Sequence, residues 1–340
     1  MSKILYCGLL SLALVSLLSA NLLSQCQRGG RVRLELVSRM PTEGAALAVA
    51  LDTSTQHVYV GAGSAVLEFL QEMPGSLEPS PEGTVDLPAQ PVSLQAADSH
   101  VYASSKDGVH IVDARQRRVI HSSTGFGAYG LRVHENEIYV AADDAASNEC
   151  GLLVFDSLLS RVGKMVDQCE SGVVEGFSIS LADLTFRSPH AYLVGTIVGG
   201  FTGMPQGFLT MADVSEPSAP TRVGSLLLQH PAKAAEVVGD LVYVAGKLLW
   251  IVDTSNPVEP AVVGYLATGT ELTALAVSPP YVYATGADGT VRAYDTHIPS
   301  RPALAATYDT GFVAHDLCVQ EPYLYVANGE GGLIVLRITT

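Results

Sequence analysis

The tripeptide V-Y-V, with close variants, returns seven times along this chain, and an L-x-I-V-D-like stretch follows each copy. Its tyrosines are Tyr59, Tyr102, Tyr139, Tyr192, Tyr243, Tyr283 and Tyr325. One short β unit cannot bury its own apolar faces, so a recurrence near forty predicts four-stranded units stacked on one another.

The clearest copy starts at Glu236: EVVGDLVYVAGKLLWIVDTSNPVEPAVVGYLATG. It reads as an apolar strand, a Gly239-Asp240 turn, a strand over 241–245, a tight Gly246-Lys247 turn and a strand over 248–252. A proline loop and a fourth strand near 261–266 complete it. After residue 30 no sustained apolar period of the helical kind appears, so the expected class is all-β.

The loop after the third strand has its own pattern. Asp213, Asp253 and Asp295 are each followed by proline four positions on (Pro217, Pro257, Pro299) and again seven on (Pro220, Pro260, Pro302). Aspartate bonds its own downstream backbone in an Asx-turn, and proline fixes φ and forbids ladder pairing. Asp113 and Asp156 hold the same place without the prolines. Each aspartate is read as serving its own turn, not as part of a metal or acid array.

Seven units follow, starting near Ala45, Pro91, Tyr129, Gly176, Ala232, Leu272 and Val313. The last runs out of chain before a fourth strand. Residues 32–44 (VRLELVSRMPTEG) resemble the fourth-strand segment VVGYLATG at 262–269. The expectation is a seven-bladed β-propeller over 31–340, whose N-terminal strand closes the last blade as its outermost strand.

The segments VHIVD, LWIVD and LIVLR, the D-x-x-x-P-x-x-P loop and the run A-H-D-L-x-V-x-x-x-Y-x-Y-V-A resemble LVIVD-repeat β-propellers. The resemblance is strongest from residue 208 onward. Blades 1 to 4 depart from it: the first has VLEFL, which lacks the aspartate, and the fourth carries extra loop. It implies the propeller fold and an exported setting, and it supplies no catalytic residues.

Residues 1–26 read as a secretory signal. Lys3 precedes an apolar run over 4–23 free of Asp, Glu, Lys and Arg, and small residues follow near Ala20 and Ser24. Two alternatives stay open. The run is long enough to remain as an anchor, although Arg28, Arg31 and Arg33 follow it, and Cys26 is a candidate for lipidation. The expected location is secreted, periplasmic or cell-surface, with membrane contact only through such a lipid or anchor.

Acidic side chains outnumber basic ones by 34 to 19, for a net charge of −15. That field disfavours nucleic acid and anionic lipid as partners. Of five cysteines, Cys7 and Cys26 fall in the leader region and Cys318 in an apolar strand. Cys150 and Cys169 flank a hairpin whose turn lies near 157–160, so they are expected to face each other and form a disulfide.

Most loops between second and third strands are minimal. Blade 3 (AADDAASNEC) and blade 4 (GTIVGGFTGMPQG) are longer, and the link CESGVVEGF opens on the same face. These loops put Asp143, Asp144, Glu149, Glu170 and Glu175 on one rim with Phe201 and Met204, the candidate binding surface. Clustered carboxylates suit calcium, but D-D-A-A-S-N-E lacks the alternating spacing of a calcium loop. No cofactor or metal is expected.

A second candidate lies at the channel mouth. Aligned inner strands place His315-Asp316 beside Asp183 and Tyr129, where a histidine with carboxylates suits acid–base chemistry. No H-E-x-x-H, G-x-S-x-G or P-loop motif accompanies them. The leading expectation is a non-enzymatic binding propeller for a protein or polysaccharide. The alternatives are an extracellular hydrolase or lyase using His315 and Asp316, and a purely structural envelope component.

Overall fold

The computed structural model describes residues 32–63, 65–70, 80–144, 149–167, 178–199 and 204–339. The targeting run and the Cys26 alternative therefore lie outside the described residues. Every element described is a β-strand, and the strands form seven four-stranded sheets. Six sheets use consecutive strands in simple up-and-down order. The seventh is built from Arg33–Met40, Leu333–Thr339, Tyr323–Ala327 and Asp316–Gln320.

Each sheet is called a blade below, and the blades form a β-propeller arrangement. Their inner strands are Ala46–Asp52, Pro91–Ala97, Gly127–His134, Ser178–Arg187, Ala232–Val238, Leu272–Ser278 and Asp316–Gln320. Successive inner strands pack side by side, and the last packs on the first. Arg33–Met40 pairs antiparallel with Leu333–Thr339, with Leu36 opposite Leu336 and Met40 opposite Leu333. First and last segments of the described chain thus share one sheet, which leaves no sliding edge there.

The repeated tyrosine sits in the second strand of every blade. Tyr102 is half-buried and the others are buried. They contribute to apolar clusters between neighbouring blades, as Tyr192 does with Trp250 and Tyr243 does with Tyr294. A period-two strand puts alternate residues on opposite faces, and both faces of a blade are covered by a neighbour. That accounts for the near-continuous apolar runs.

The repeated aspartates behave as turn formers. Ser215, Ser255 and His297 N–H groups donate to Oδ1 of Asp213, Asp253 and Asp295 at 2.8, 2.8 and 2.9 Å. Gln116 N–H does the same for Asp113 at 2.8 Å, and Leu158 and Ser160 do so for Asp156 at 2.9 and 2.8 Å. The proline loop they start presses onto the blade before it. A Cβ at Gly163, Gly224 or Gly264 would collide with the carbonyl oxygen of Pro217, Pro257 or Pro299. Those three outer-strand positions therefore admit only glycine without a shift.

Candidate functional site

Two concavities bear on function. The first is the central channel, a cavity of about 590 Å³. Its walls follow the inner-strand position opposite the repeated tyrosine in every blade but the fourth, where Thr185 is buried and Asp183 and Phe186 line the channel instead. That position reads Ala50, Gln95, Arg132, Thr185, Glu236, Ala276 and Cys318 around the ring. Two positions earlier, blades 4 and 7 carry Asp183 and Asp316. The charged groups are thus unevenly distributed, with alanines on blades 1 and 6.

Four of these side chains tie blades together by the same bond. Gln95 Oε1 accepts from Val133 N–H at 2.7 Å, and Thr185 Oγ1 accepts from Val237 N–H at 3.2 Å. Asp183 Oδ2 accepts from Ala235 N–H at 3.0 Å, and Asp316 Oδ2 accepts from Val49 N–H at 2.9 Å. In each case the acceptor belongs to one blade and the donor to the next inner strand. The other Asp183 and Asp316 oxygens take the N–H of Leu184 and Leu317 at 2.7 and 2.9 Å.

Arg132 reaches past blade 4 to Glu236 of blade 5, with Nη2 to Oε2 at 3.1 Å, and both side chains keep part of their surface open to the channel. Burial works against the Arg132 charge, but Glu236, Asp183 and Asp316 outweigh it and raise its pKa. Burial raises Glu236, opposed by Arg132 and helped by Asp183. Burial also raises Asp183, opposed by Arg132 and its two N–H donors. Asp316 is pushed up to about 7 by burial, with Val49, Leu317 and Arg132 resisting and Asp183 adding to the rise. One cation among three carboxylates leaves excess negative charge, and proton retention relieves it.

His315 does not join this cluster. It is exposed beside the 328–332 turn, and the channel lining begins at Asp316. Neighbouring residues on an extended segment point to opposite sides, so the expected His315–Asp316 pair is not formed. Tyr129 also stays out of the lining. Its hydroxyl donates to Asp143 Oδ2 at 2.6 Å, and burial with that bond pushes its pKa up to about 12. Arg132 and Glu236 are missed by the sequence reading, although the column opposite the tyrosines displays them once the inner strands are aligned.

The second concavity lies between blades 3 and 4, a cavity of about 270 Å³. Blade 3 gives it Cys150, Gly151 and Met165. Blade 4 gives the rest, mainly aliphatic residues such as Leu181 and Leu193, with Phe208, Ser225 and Arg222. It sits toward the end of the blades from which the long loops of blades 3 and 4 spring. Three apolar residues are exposed on this part of blade 4: Met204 at 70 %, Leu227 at 62 % and Val198 at 39 %.

Of the rim carboxylates, the described side chains are those of Asp143 and Glu149, and each has its own partner. Asp143 is tied to Tyr129, and Glu149 is paired with Lys164 at 2.8 Å. The Asp144 side chain, Glu170, Glu175, Phe201 and Cys169 lie outside the described residues. Cys150 is disulfide-bonded. Its register differs from the expected one. Cys150 stands opposite Asp167, because the 156–160 turn closes the hairpin earlier than expected and the bulge between Val154 and Phe155 restores only one position. Among the described cysteines, Cys318 is a free thiol.

Among the described residues, no group of three or more His, Cys, Asp or Glu is placed to hold a metal ion. No helix there is long and apolar enough to cross a membrane.

Comparison with known proteins agrees with the repeat. A family model described as "LVIVD repeat" matches residues 204–227, 231–268 and 313–338. The chain carries LVIVD repeats. The matched stretches fall in blades 4, 5 and 7. No curated protein matches the chain. Among solved structures, the chain resembles the crystal structure of the computationally designed Ika8 protein, with a TM-score of 0.61 and 16 % identity. That match covers 89 % of this LVIVD-repeat chain and 99 % of the designed one, and at such identity it speaks for the fold alone.

Proposed function

We propose that this LVIVD-repeat chain is an exported, seven-bladed, non-enzymatic binding propeller that engages a protein through the rim of blades 3 and 4. One observation carries the reading: a mainly apolar cavity of about 270 Å³ opens under that rim, with Leu227 of its lining exposed and Met204 exposed just before the third strand of the same blade. Contiguous exposed apolar surface around a concavity marks interaction sites, and its energy concentrates where an anchor is fully desolvated. The Tyr129–Asp143 and Lys164–Glu149 pairs supply the polar surround. A polysaccharide is the competing ligand. The mainly aliphatic walls favour a protein side chain, since a sugar ring carries more hydroxyls than the few polar groups of the lining, Arg222, Ser225 and Thr210, can partner. The charged start with its apolar run, and a disulfide-bonded Cys150, support export.

A second reading, acid–base chemistry in the channel, draws on Asp316 with its pKa pushed up to about 7 near Arg132. It is the weaker one, because both Asp316 oxygens already hold backbone N–H groups. A purely structural role in the envelope is the third.

Crosslinking the natively exported protein, followed by mass spectrometry, tests these readings together. Met204→Asp with Leu227→Asp should lose a partner that Asp316→Asn keeps. Retention by the double variant would overturn the rim. Turnover of an extracellular substrate that Asp316→Asn abolishes would favour the channel. Crosslinking patterns indifferent to every change would favour the structural role.

A further inference from the structure

The cavity between blades 3 and 4 is lined so as to distinguish a ring from an aliphatic chain. Resting on the rim reading above, we propose that it receives one aromatic side chain, up to the size of tryptophan, from the protein partner.

Size sets the upper bound. A dry engineered cavity of about 150 Å³ holds benzene. The cavity here, at about 270 Å³, has room for a group as large as an indole. Wall chemistry narrows the choice. Phe208 offers a ring for edge or offset contact, Met165 a thioether, and Arg222 a guanidinium. Each is more favourable against a π-system than against a branched alkyl group. The remaining wall, from Leu181, Leu193 and their neighbours, supplies burial without preference. At the polar end Ser225 Oγ, which accepts from Arg222 at 2.8 Å, has a second lone pair for an indole N–H.

The cavity is reached from outside. Ser225 and Leu227 of its lining are exposed and lie on the outermost strand of blade 4. Leu227, at 62 % exposed, has room to fold over an occupant. The chain carries a net charge of −15, so a partner bringing the ring on a basic surface is drawn toward it.

The test uses the full chain with labelled isoleucine and methionine methyls, titrated with N-acetyl-tryptophanamide and N-acetyl-leucinamide. Saturable shifts at Met165, Ile179 and Ile197 are expected with the tryptophan probe, and binding about tenfold weaker with the leucine probe. Ser225→Phe, which fills the cavity from its exposed side, should abolish the shifts. Ile197→Phe serves the same purpose if that variant fails to fold. Equal response to both probes, shifts elsewhere in the chain, or none would overturn the proposal. If no probe binds yet Met204→Asp with Leu227→Asp still loses the partner, the rim stands and the aromatic anchor falls. If the probes discriminate but the partner ignores that double variant, the partner is overturned as the source of the ring.

Discussion

Blades 5 and 6 and blades 3 and 4 are built from the same unit, yet only the second pair leaves room inside. Between blades 5 and 6, Leu249, Ile251, Val282 and Ala284 are wholly buried against Tyr243 and Tyr294. Their second-to-third turns are short, and the loop from Asp253 is stiffened by Pro257 and Pro260. Between blades 3 and 4 the equivalent layer holds Leu184 and Leu152 at its centre and then opens into the cavity beside Met165 and Leu193. Repetition makes packing regular, and function has to come from where repetition lapses.

The largest expected effect tests whether that lapse is energetic. Leu249 is surrounded on all sides. Leu249→Ala should therefore cost about 4 kcal/mol. Leu193 already borders empty space. Leu193→Ala loses fewer contacts, and about 2 kcal/mol is expected. Urea denaturation of both variants measures the difference. Equal losses would mean the blade 3–4 interface is as tightly supported as the regular one.

The second effect moves the contrast to the channel wall. Asp183 of blade 4 lies near Arg132, whereas Asp316 of blade 7 performs the same stitch with weaker relief. Asp316 has its pKa raised from an ordinary 3.8 to about 7, so the folded chain keeps a proton that the unfolded chain gives up. Its contribution to stability is full below about pH 4 and is lost as pH rises through about 7. A decline of roughly 2 kcal/mol across that window is expected, with open channel water blunting the full shift. Asp316→Asn should flatten that stretch of the pH–stability curve. Asp183→Asn instead leaves Arg132 with less compensation, and should destabilise at neutral pH. A wild-type curve that rises from pH 4 to 7 would contradict the assignment.

Much of the scaffold is legible in the sequence because repetition supplies its own alignment. Seven tyrosines, the Asp–Pro loops and a fourth-strand echo at 32–44 predict the strands and the pairing of Arg33–Met40 with Leu333–Thr339. The glycines that receive the proline loops escape it. Gly163, Gly224 and Gly264 each lie one blade before Pro217, Pro257 and Pro299, and insertions in blade 4 break the spacing. The expected Cys150 register is off by two, since the residue pattern does not reveal that the turn closes between Asp156 and Ser160, and the later bulge restores only one position. Among site residues, Asp143 and Glu149 are paired with Tyr129 and Lys164, Met204 is exposed, and Asp183 and Asp316 line the channel. His315 is misplaced because adjacency in an extended chain does not mean a shared direction. The cavity itself has no signature, being a deficit of packing that only three dimensions express.

The smallest effect asks whether the proline loops of the regular blades truly replace side-chain bonding. Asp156 of blade 3 has no following prolines, and it holds two backbone N–H groups, from Leu158 and Ser160. Asp253 of blade 5 holds Ser255 N–H while Pro257 and Pro260 fix the rest of the turn. Removing the carboxylate leaves the proline-bearing loop with two φ angles still fixed, at Pro257 and Pro260, so the unfolded chain gains less freedom over the folded one. Asp156→Ala should therefore cost about 1 kcal/mol, and Asp253→Ala only a few tenths. Replacing both prolines, Pro257→Ala with Pro260→Ala, should raise the cost of Asp253→Ala to that of Asp156→Ala when the triple variant is compared with the double. If the two aspartates cost the same from the outset, the prolines are not what makes blade 5 rigid, and the contrast between the two pairs of blades must then rest on core packing alone.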